Sequence, residues 1–264
     1  MNFEELYQIK DEAEQINKTY EIFNEDKRLC SKAGRVEFLT TVKYIEKYLE
    51  PGMKILDIGA GTGAYSLYFA EKGYEVSSLE LADNNIAVFK SKLKPEHKIE
   101  LIQGNAVDLS HFDDESFDIV LMFGPLYHLH NEEDRQKAIA EAKRVAKKDA
   151  VLFFAFIEND MIFLTEMNYD PDYIKGNTYD HETFKTEDFP FVFHTLDSCR
   201  EILKNGGIKI MHEVASDGVS ELISDKINAM DDEDYETYLR YHHYCCEKPE
   251  MLGRSNHLLF VGRM

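Results

Sequence analysis

The first fifty residues carry apolar side chains at steps of three and four positions. One such series covers 3–23, and a second covers 36–49. This spacing places the apolar side chains on one face of a helix. Pro51 and Gly52 then end the second series. The sequence therefore predicts two amphipathic helices that pack against the rest of the molecule as a cap.

Short apolar runs and helical segments alternate from residue 54 onwards. The runs that predict strands cover 54–59, 74–80, 98–104, 117–124, 150–157, 208–215 and 257–263. The helical segments cover about 63–72, 84–93, 131–147, 196–207, 218–229 and 231–247. This alternation predicts an α/β fold with a seven-stranded, mostly parallel sheet and helices on both faces. Residues 158–194 do not follow this alternation, and they predict an insertion with at most short helices.

Charge and composition narrow the classes of partner. The formal net charge of −20 repels phosphate backbones and anionic lipids, so we expect no nucleic acid and no membrane as partner. No apolar stretch approaches the ~20 residues of a membrane span, and the N-terminus lacks a signal-peptide pattern. We expect a cytoplasmic protein, monomeric or homodimeric, whose four cysteines stay reduced.

The most informative stretch is the glycine-rich turn after the first predicted strand. Gly59 and Gly61, with Ala64, fit the dinucleotide pattern G-x-G-x-x-G/A, so an NAD-linked oxidoreductase is one alternative. Glycines at such a turn let backbone N–H groups approach a ligand at a helix N-terminus. Glu80 ends the second predicted strand at the same sheet edge, where its carboxylate can accept hydrogen bonds from ribose hydroxyls.

Three features favour an adenosyl ligand that carries an ammonium group over NAD. Asp57 completes the pattern D-x-G-x-G-x-G, and a carboxylate there suits an ammonium group better than a pyrophosphate. Asn105 and Ala106 follow the third predicted strand, where an adenine edge can be read. The last predicted elements suit a late antiparallel strand better than a second nucleotide-binding half.

Together with "FDIVLMFGPLYHL" at 117–129, these features resemble a class I S-adenosylmethionine-dependent methyltransferase. The resemblance covers about 35–157 well and the remainder loosely, and the GPLYHL motif is similar to a bacterial subgroup of unassigned substrate. It implies a Rossmann-like sheet and S-adenosyl-L-methionine as cofactor. The residues that it implies for cofactor binding are Asp57, Gly59, Ala60, Gly61, Gly63, Glu80, Leu81, Asn105, Ala106, Phe123 and Gly124.

The resemblance also implies how the chain is divided. We expect a single methyltransferase domain over 1–264, in which 1–50 forms the cap and 51–157 the cofactor-binding core. The segments 158–194 and 216–250 are then insertions that form a substrate lid.

Methyl transfer requires mainly that the acceptor be aligned with the donor, and it needs a base only where the acceptor must lose a proton. Tyr127 and His128 follow the fourth predicted strand and are the candidate catalytic residues. His128 would have an ordinary pKa near ~6.5, which suits a base. The alternative is a histidine that bonds to backbone within the turn. Arg35 could pair with the methionine carboxylate, although a solvated arginine is the other interpretation.

The predicted function is therefore methyl transfer to a small-molecule acceptor. The chain has Phe-Gly-Pro-Leu at 123–126, where enzymes that methylate nucleic-acid bases often carry [DN]-P-P-[YFW]. His242, Cys245 and Cys246 share a helical face, but without further ligands we predict no metal there, and a helix that contributes to a substrate pocket or to packing. A catalytically silent cofactor-binding or interaction protein is the alternative outside the enzymes.

Overall fold

An eight-stranded sheet organises the computed structural model, which describes residues 3–23 and 25–264. The strands are β1 (Lys54–Ile58), β2 (Glu75–Glu80), β3 (Ile99–Gln103), β4 (Phe117–Met122), β5 (Ala146–Glu158), β6 (Phe193–His194), β7 (Lys209–Ala215) and β8 (His257–Arg263). Their order is β3-β2-β1-β4-β5-β8-β7, and β6 pairs with β5 off this path. Only β8 runs antiparallel to its neighbours β5 and β7. This confirms the predicted α/β class, with the short β6 as one strand more than expected.

Thirteen α-helices in the described part of the chain surround this sheet. They are α1 (Phe3–Tyr7), α2 (Glu12–Ile22), α3 (Glu25–Arg28), α4 (Lys32–Glu46), α5 (Ala64–Glu71), α6 (Asp83–Lys92), α7 (Pro125–His128), α8 (Glu132–Val145), α9 (Asn159–Tyr169), α10 (Leu196–Asn205), α11 (Ser224–Asn228), α12 (Asp232–Cys245) and α13 (Pro249–Leu252). None of them is both long and apolar enough to cross a membrane.

Two stretches differ from the sequence-based expectation. The single helix expected over 3–23 is divided into α1 and α2, because the Asp11 side chain accepts the N–H of Glu14 at 2.8 Å and starts a new helix. The insertion over 158–194 contains the eleven-residue α9, although only short helices were expected there. Glu158 starts α9 in the same way, by accepting the N–H of Met161 at 2.7 Å.

Apolar layers cover both faces of the sheet, as the uniformly apolar strands indicated. Successive residues of β1 point to opposite sides, so Ile55 packs into the layer under α4 and α5 while Leu56 packs into the layer under α8 and α10. Both side chains are fully buried. The position of each strand end is therefore fixed from two sides.

The carboxyl ends of the four parallel strands β1 to β4 meet at one edge of the sheet. The turn 59–63 follows β1, Glu80 closes β2, 104–106 follows β3 and 123–124 follows β4. The strand order reverses between β1 and β4, and such a switch point opens a crevice for ligands in α/β sheets.

A substitution at Gly63 can test the close approach of α5 to Phe89. Its φ is +86°, and a Cβ there would lie 2.5 Å from the Phe89 ring. Gly63→Ala should lower the free energy of unfolding by about 2–4 kcal/mol, of which about 1–2 is backbone strain and the rest overpacking. Gly52 also has a φ of +86° but has no atom within 4 Å of the added Cβ, so Gly52→Ala isolates the strain. Equal losses in urea denaturation would contradict the close approach.

Candidate functional site

The glycine-rich turn is held between the ends of β2 and β4. The backbone N–H groups of Gly59 and Ala60 donate to the carbonyl oxygen of Leu79 at 2.8 and 3.0 Å. A Cβ on Gly59 would lie 2.8 Å from the carbonyl oxygen of Phe123, so only glycine fits at this position. The turn therefore presents bare backbone towards the crevice.

Glu80 closes the turn from the side of β2. Its Oε2 accepts the N–H of Gly61 at 2.7 Å, and its Oε1 accepts the N–H of Ala82 at 2.8 Å. The side chain is only 5% exposed, and burial raises the pKa of its carboxyl group against the effect of these backbone donors. The backbone thus fixes a carboxylate at the wall of the crevice.

A cleft, here called the loop cleft, opens above this turn. Most of the residues expected from the sequence to bind the cofactor or acceptor line it, and they are Gly59, Ala60, Gly61, Glu80, Leu81, Asn105, Ala106, Phe123, Gly124, Tyr127 and His128. The structure therefore gathers side chains and backbone from four strand ends around one space.

Asp57 and Gly63 do not line the loop cleft. Asp57 lies beneath the turn, where its Oδ2 accepts the hydroxyl of Ser66 at 2.6 Å and its Oδ1 has no hydrogen-bond partner among the described residues. Burial raises the pKa of Asp57 to about 7, and the negative charge of Glu80 adds to this against the opposing Ser66 hydrogen bond. Gly63 is the N-cap of α5 and faces Phe89.

Asn105 lines the loop cleft from the turn after β3. Its Oδ1 accepts the N–H of Val107 at 3.2 Å, so the amide is held by its own turn. Ala106 is buried beside it, and Leu81 lines the cleft from the end of β2.

His128 occupies an apolar surrounding that the sequence did not indicate. Its Nε2 lies 2.8 Å from the hydroxyl of Tyr20, and the rings of Tyr20, Tyr127 and Phe191 lie 5.2–5.5 Å from its ring centre. Burial lowers the pKa of His128 to about 3, and His130 adds to this effect. The ring is therefore neutral at pH 7, and a proton on it is strongly disfavoured.

A second space, here called the outer chamber, adjoins the loop cleft. The two share the lining residues Tyr20, Arg28, Glu37, Tyr127 and His257. Many of the residues that line the outer chamber are aromatic. They are Tyr20, Phe23, Tyr127, Tyr169, Tyr173, Phe189, Phe191 and Phe193. The boundary between the two spaces is thus both aromatic and charged.

Four charged side chains meet at this boundary. Arg28 forms an ion pair with Glu37 through both of its terminal nitrogens. The Nδ1 of His257 lies 2.7 Å from Oδ2 of Asp217 and 3.5 Å from Oε2 of Glu37. Glu37 is 9% and Asp217 5% exposed, so both carboxylates are buried and compensated by cations.

Sequence reasoning missed these four residues. They come from α3, α4, the turn after β7 and the start of β8, and no local pattern joins these positions. The one usable signal is Glu37, a charged residue within the apolar stripe of α4, where Val36 is fully buried. Arg35, the arginine considered from the sequence, is exposed on the same helix.

Two groups of potential metal ligands can be compared. Glu37, Asp217 and His257 offer ligand atoms within 4.8 Å of one another, the one such group found among the described residues. Arg28 already compensates Glu37 there. The second group is His242, Cys245 and Cys246 at the end of α12. Its cysteines bond to backbone, and the Sγ of Cys245 lies 3.4 Å from the carbonyl oxygen of His242.

Crevices at the switch point of a parallel sheet bind nucleotide-containing ligands, and the loop cleft belongs to this class of site. Residues 56–154 match the family model described as the methyltransferase domain. YqeM of Bacillus subtilis, described as a methyltransferase, is 26% identical over 66% of this chain and 81% of that protein. A demethylmenaquinone methyltransferase of Lysinibacillus sphaericus is 37% identical over 38% of this chain, which spans only 42% of that relative.

A solved structure shows the same fold. The magnesium protoporphyrin IX methyltransferase of Synechocystis, solved with bound S-adenosylhomocysteine, superposes with a TM-score of 0.58 at 13% identity and covers 96% of this chain and 100% of that one. The family model, YqeM and the shared fold support a class I S-adenosylmethionine-dependent methyltransferase, as the motifs predicted. They indicate S-adenosyl-L-methionine as the cofactor, in place of NAD.

Glu80 provides a direct test of where the cofactor binds. In Glu80→Gln one carboxylate oxygen becomes an amide donor, which would remove the hydrogen bonds that we expect from ribose hydroxyls. Affinity for S-adenosylhomocysteine should fall by about tenfold to a hundredfold in calorimetric titration. Glu75→Gln, an exposed position at the other end of β2, is the matched control and should leave affinity unchanged. Equal affinities in both variants would contradict this placement.

Asp57 provides a test that requires no ligand. Because its pKa is raised from 3.8 to about 7 in the folded state, its ionisation destabilises the fold as pH rises between these values. Asp57→Asn should therefore stabilise the free protein by about 2–4 kcal/mol at pH 8 and by little at pH 4. Urea denaturation at both pH values measures this. A gain that does not change with pH would show that Asp57 ionises normally.

Proposed function

We propose that this methyltransferase transfers a methyl group to a small-molecule acceptor that lies in the outer chamber. The observation that carries the proposal is the continuity of the two spaces: five residues line both the loop cleft and the outer chamber. A donor in the first space and an acceptor in the second would meet at Tyr20 and Tyr127. Alignment of the two reactants is the main requirement of the reaction.

We assign the cofactor to the loop cleft, with Glu80 binding the ribose hydroxyls and the backbone of Gly59 and Gly61 surrounding the methionine part. The geometry fits, since this backbone is unobstructed and Glu80 is fixed at the wall. An ammonium group above the turn would favour the ionised form of Asp57, whose Oδ1 has no hydrogen-bond partner among the described residues. Leu81 would pack against the adenine, and Asn105 stands near its amino edge. Bound there, S-adenosylmethionine supplies an activated methyl group.

For Tyr127 and His128 we propose a role in shaping the acceptor wall. The neutral ring of His128 can hold the hydroxyl of Tyr20 in place at 2.8 Å. With a pKa of about 3 it would be a weak base, so its proposed role is positioning and not proton transfer. His128→Phe should therefore affect acceptor binding more than the pH dependence of turnover.

The lining of the outer chamber supports an acceptor that is neutral or cationic. Among the described residues, its carboxylates are Glu37, Glu166, Glu187, Asp217 and Glu221, against one arginine and one histidine. Burial and the charge of Glu221 raise the pKa of Glu166, so an added anion would be disfavoured further. This charge pattern also argues against nucleic acid as the acceptor.

We retain the lid proposal for the two late insertions. Ile162, Glu166 and Tyr169 come from 158–194, and Asp217 and Glu221 from 216–250. Both segments thus contribute walls of the outer chamber. We place the reaction in the cytoplasm, with the protein as monomer or homodimer.

Release of S-adenosylhomocysteine after adding S-adenosylmethionine and a protein-free bacterial metabolite extract tests the proposal. Matched acceptors then test the charge preference: 2-phenylethylamine and 2-phenylethanol should be used at least about tenfold better than 3-phenylpropionate, because the carboxylate meets like charges. Glu166→Gln should narrow this difference. Cofactor binding without any release would indicate a silent cofactor-binding protein, and a preference for the carboxylate would contradict the charge argument.

A further inference from the structure

His257 lies at the boundary between the loop cleft and the outer chamber. It lines both spaces, and it starts β8 at the carboxyl edge of the sheet. We propose that His257 accepts the proton released by the acceptor during methyl transfer, and that Asp217 is the residue that positions it. This inference rests on the proposed function, since it names the group that would handle the proton of the acceptor.

Asp217 holds the histidine ring in one orientation. Its Oδ1 accepts the Oγ–H of Ser255 at 2.5 Å and the backbone N–H of His257 at 3.1 Å, and its Oδ2 lies 2.7 Å from Nδ1 of His257. A carboxylate accepts only, so the neutral ring carries its proton on Nδ1. Nε2 makes no hydrogen bond to any described residue and is therefore the nitrogen open to a ligand.

The charges around His257 favour the protonated product of this step. The charged groups of described residues that face it are Glu37 from α4, Asp217 from the turn after β7 and Arg28 from α3. Burial lowers the pKa of His257, but the two carboxylates outweigh burial and the opposing Arg28 and raise it to about 9. An imidazolium at this position is thus stabilised, in contrast to one at His128.

The proton balance of the reaction is complete with this assignment. A lone pair on the acceptor atom forms a bond to the methyl carbon, while the carbon–sulfur bond breaks and its electron pair stays on sulfur. The proton of the acceptor moves to Nε2 of His257. The products are the methylated acceptor, S-adenosylhomocysteine and an imidazolium, which returns its proton to solvent through the outer chamber.

The first test is made on the ligand-free full-length chain by histidine NMR. His257 should titrate well above 6.5, with its neutral form protonated on Nδ1, and Asp217→Asn should lower its pKa by about one unit or more. A histidine that titrates near 6.5 in both proteins would overturn the proposal, whatever the acceptor.

The second test measures release of S-adenosylhomocysteine with the metabolite extract as the acceptor source. His257→Gln should lower the rate by about a hundredfold or more, with affinity for S-adenosylhomocysteine within about threefold of wild type. In wild type the rate should rise with pH towards about 9, and Asp217→Asn should move this rise to lower pH. Because both proteins use the same acceptor, its own ionisation cancels in the comparison.

His212→Gln is the matched control, because His212 is bonded to Tyr48 and Glu247 and lines neither space. It should retain the wild-type rate and pH profile. A wild-type rate in His257→Gln would overturn the assignment of His257 alone. Failure of wild type to bind S-adenosylhomocysteine or to release it would instead count against the proposed function.

Discussion

The contact between Glu80 and the backbone of Gly61 is the constraint on which the site depends. The carboxylate ends β2, the N–H belongs to the turn after β1, and the 2.7 Å bond joins the two strand ends. The charge is buried, so it is tolerable only because backbone donors surround it. The close approach of Gly59 to Phe123 also holds this glycine-rich turn against the loop after β4. One local network therefore fixes the shape of the loop cleft.

The sequence predicted this part of the site because its causes are local. Glycines at 59, 61 and 63, an acid at 57 and another at 80 lie within one strand–turn–helix–strand unit, whose geometry follows from the pattern. The sheet was equally predictable, since its strands are apolar on both faces. The division of α1 from α2 was missed because the cap formed by Asp11 decides it, and hydrophobic spacing does not report caps.

The boundary of the two spaces could not be predicted in the same way. His128 and His257 both line the loop cleft, yet burial among aromatic rings lowers the pKa of one to about 3, while carboxylates raise that of the other to about 9. Neither environment can be inferred from the residues that adjoin these histidines in the sequence. Glu37 and Asp217 lie far along the chain from His257, so only the folded sheet brings their charges to the ring.

The charged side chains are arranged differently at the boundary and in the outer chamber. At the boundary of the free protein, Arg28 and the protonated form of His257 balance Glu37 and Asp217. In the outer chamber, Glu166 and Glu221 lie close enough that the charge of one raises the pKa of the other, and there the field is negative. The positive charge of the methyl donor passes to His257 together with the proton, and there Glu37 and Asp217 stabilise the imidazolium. The negative field of the outer chamber then favours movement of the released proton from His257 to solvent.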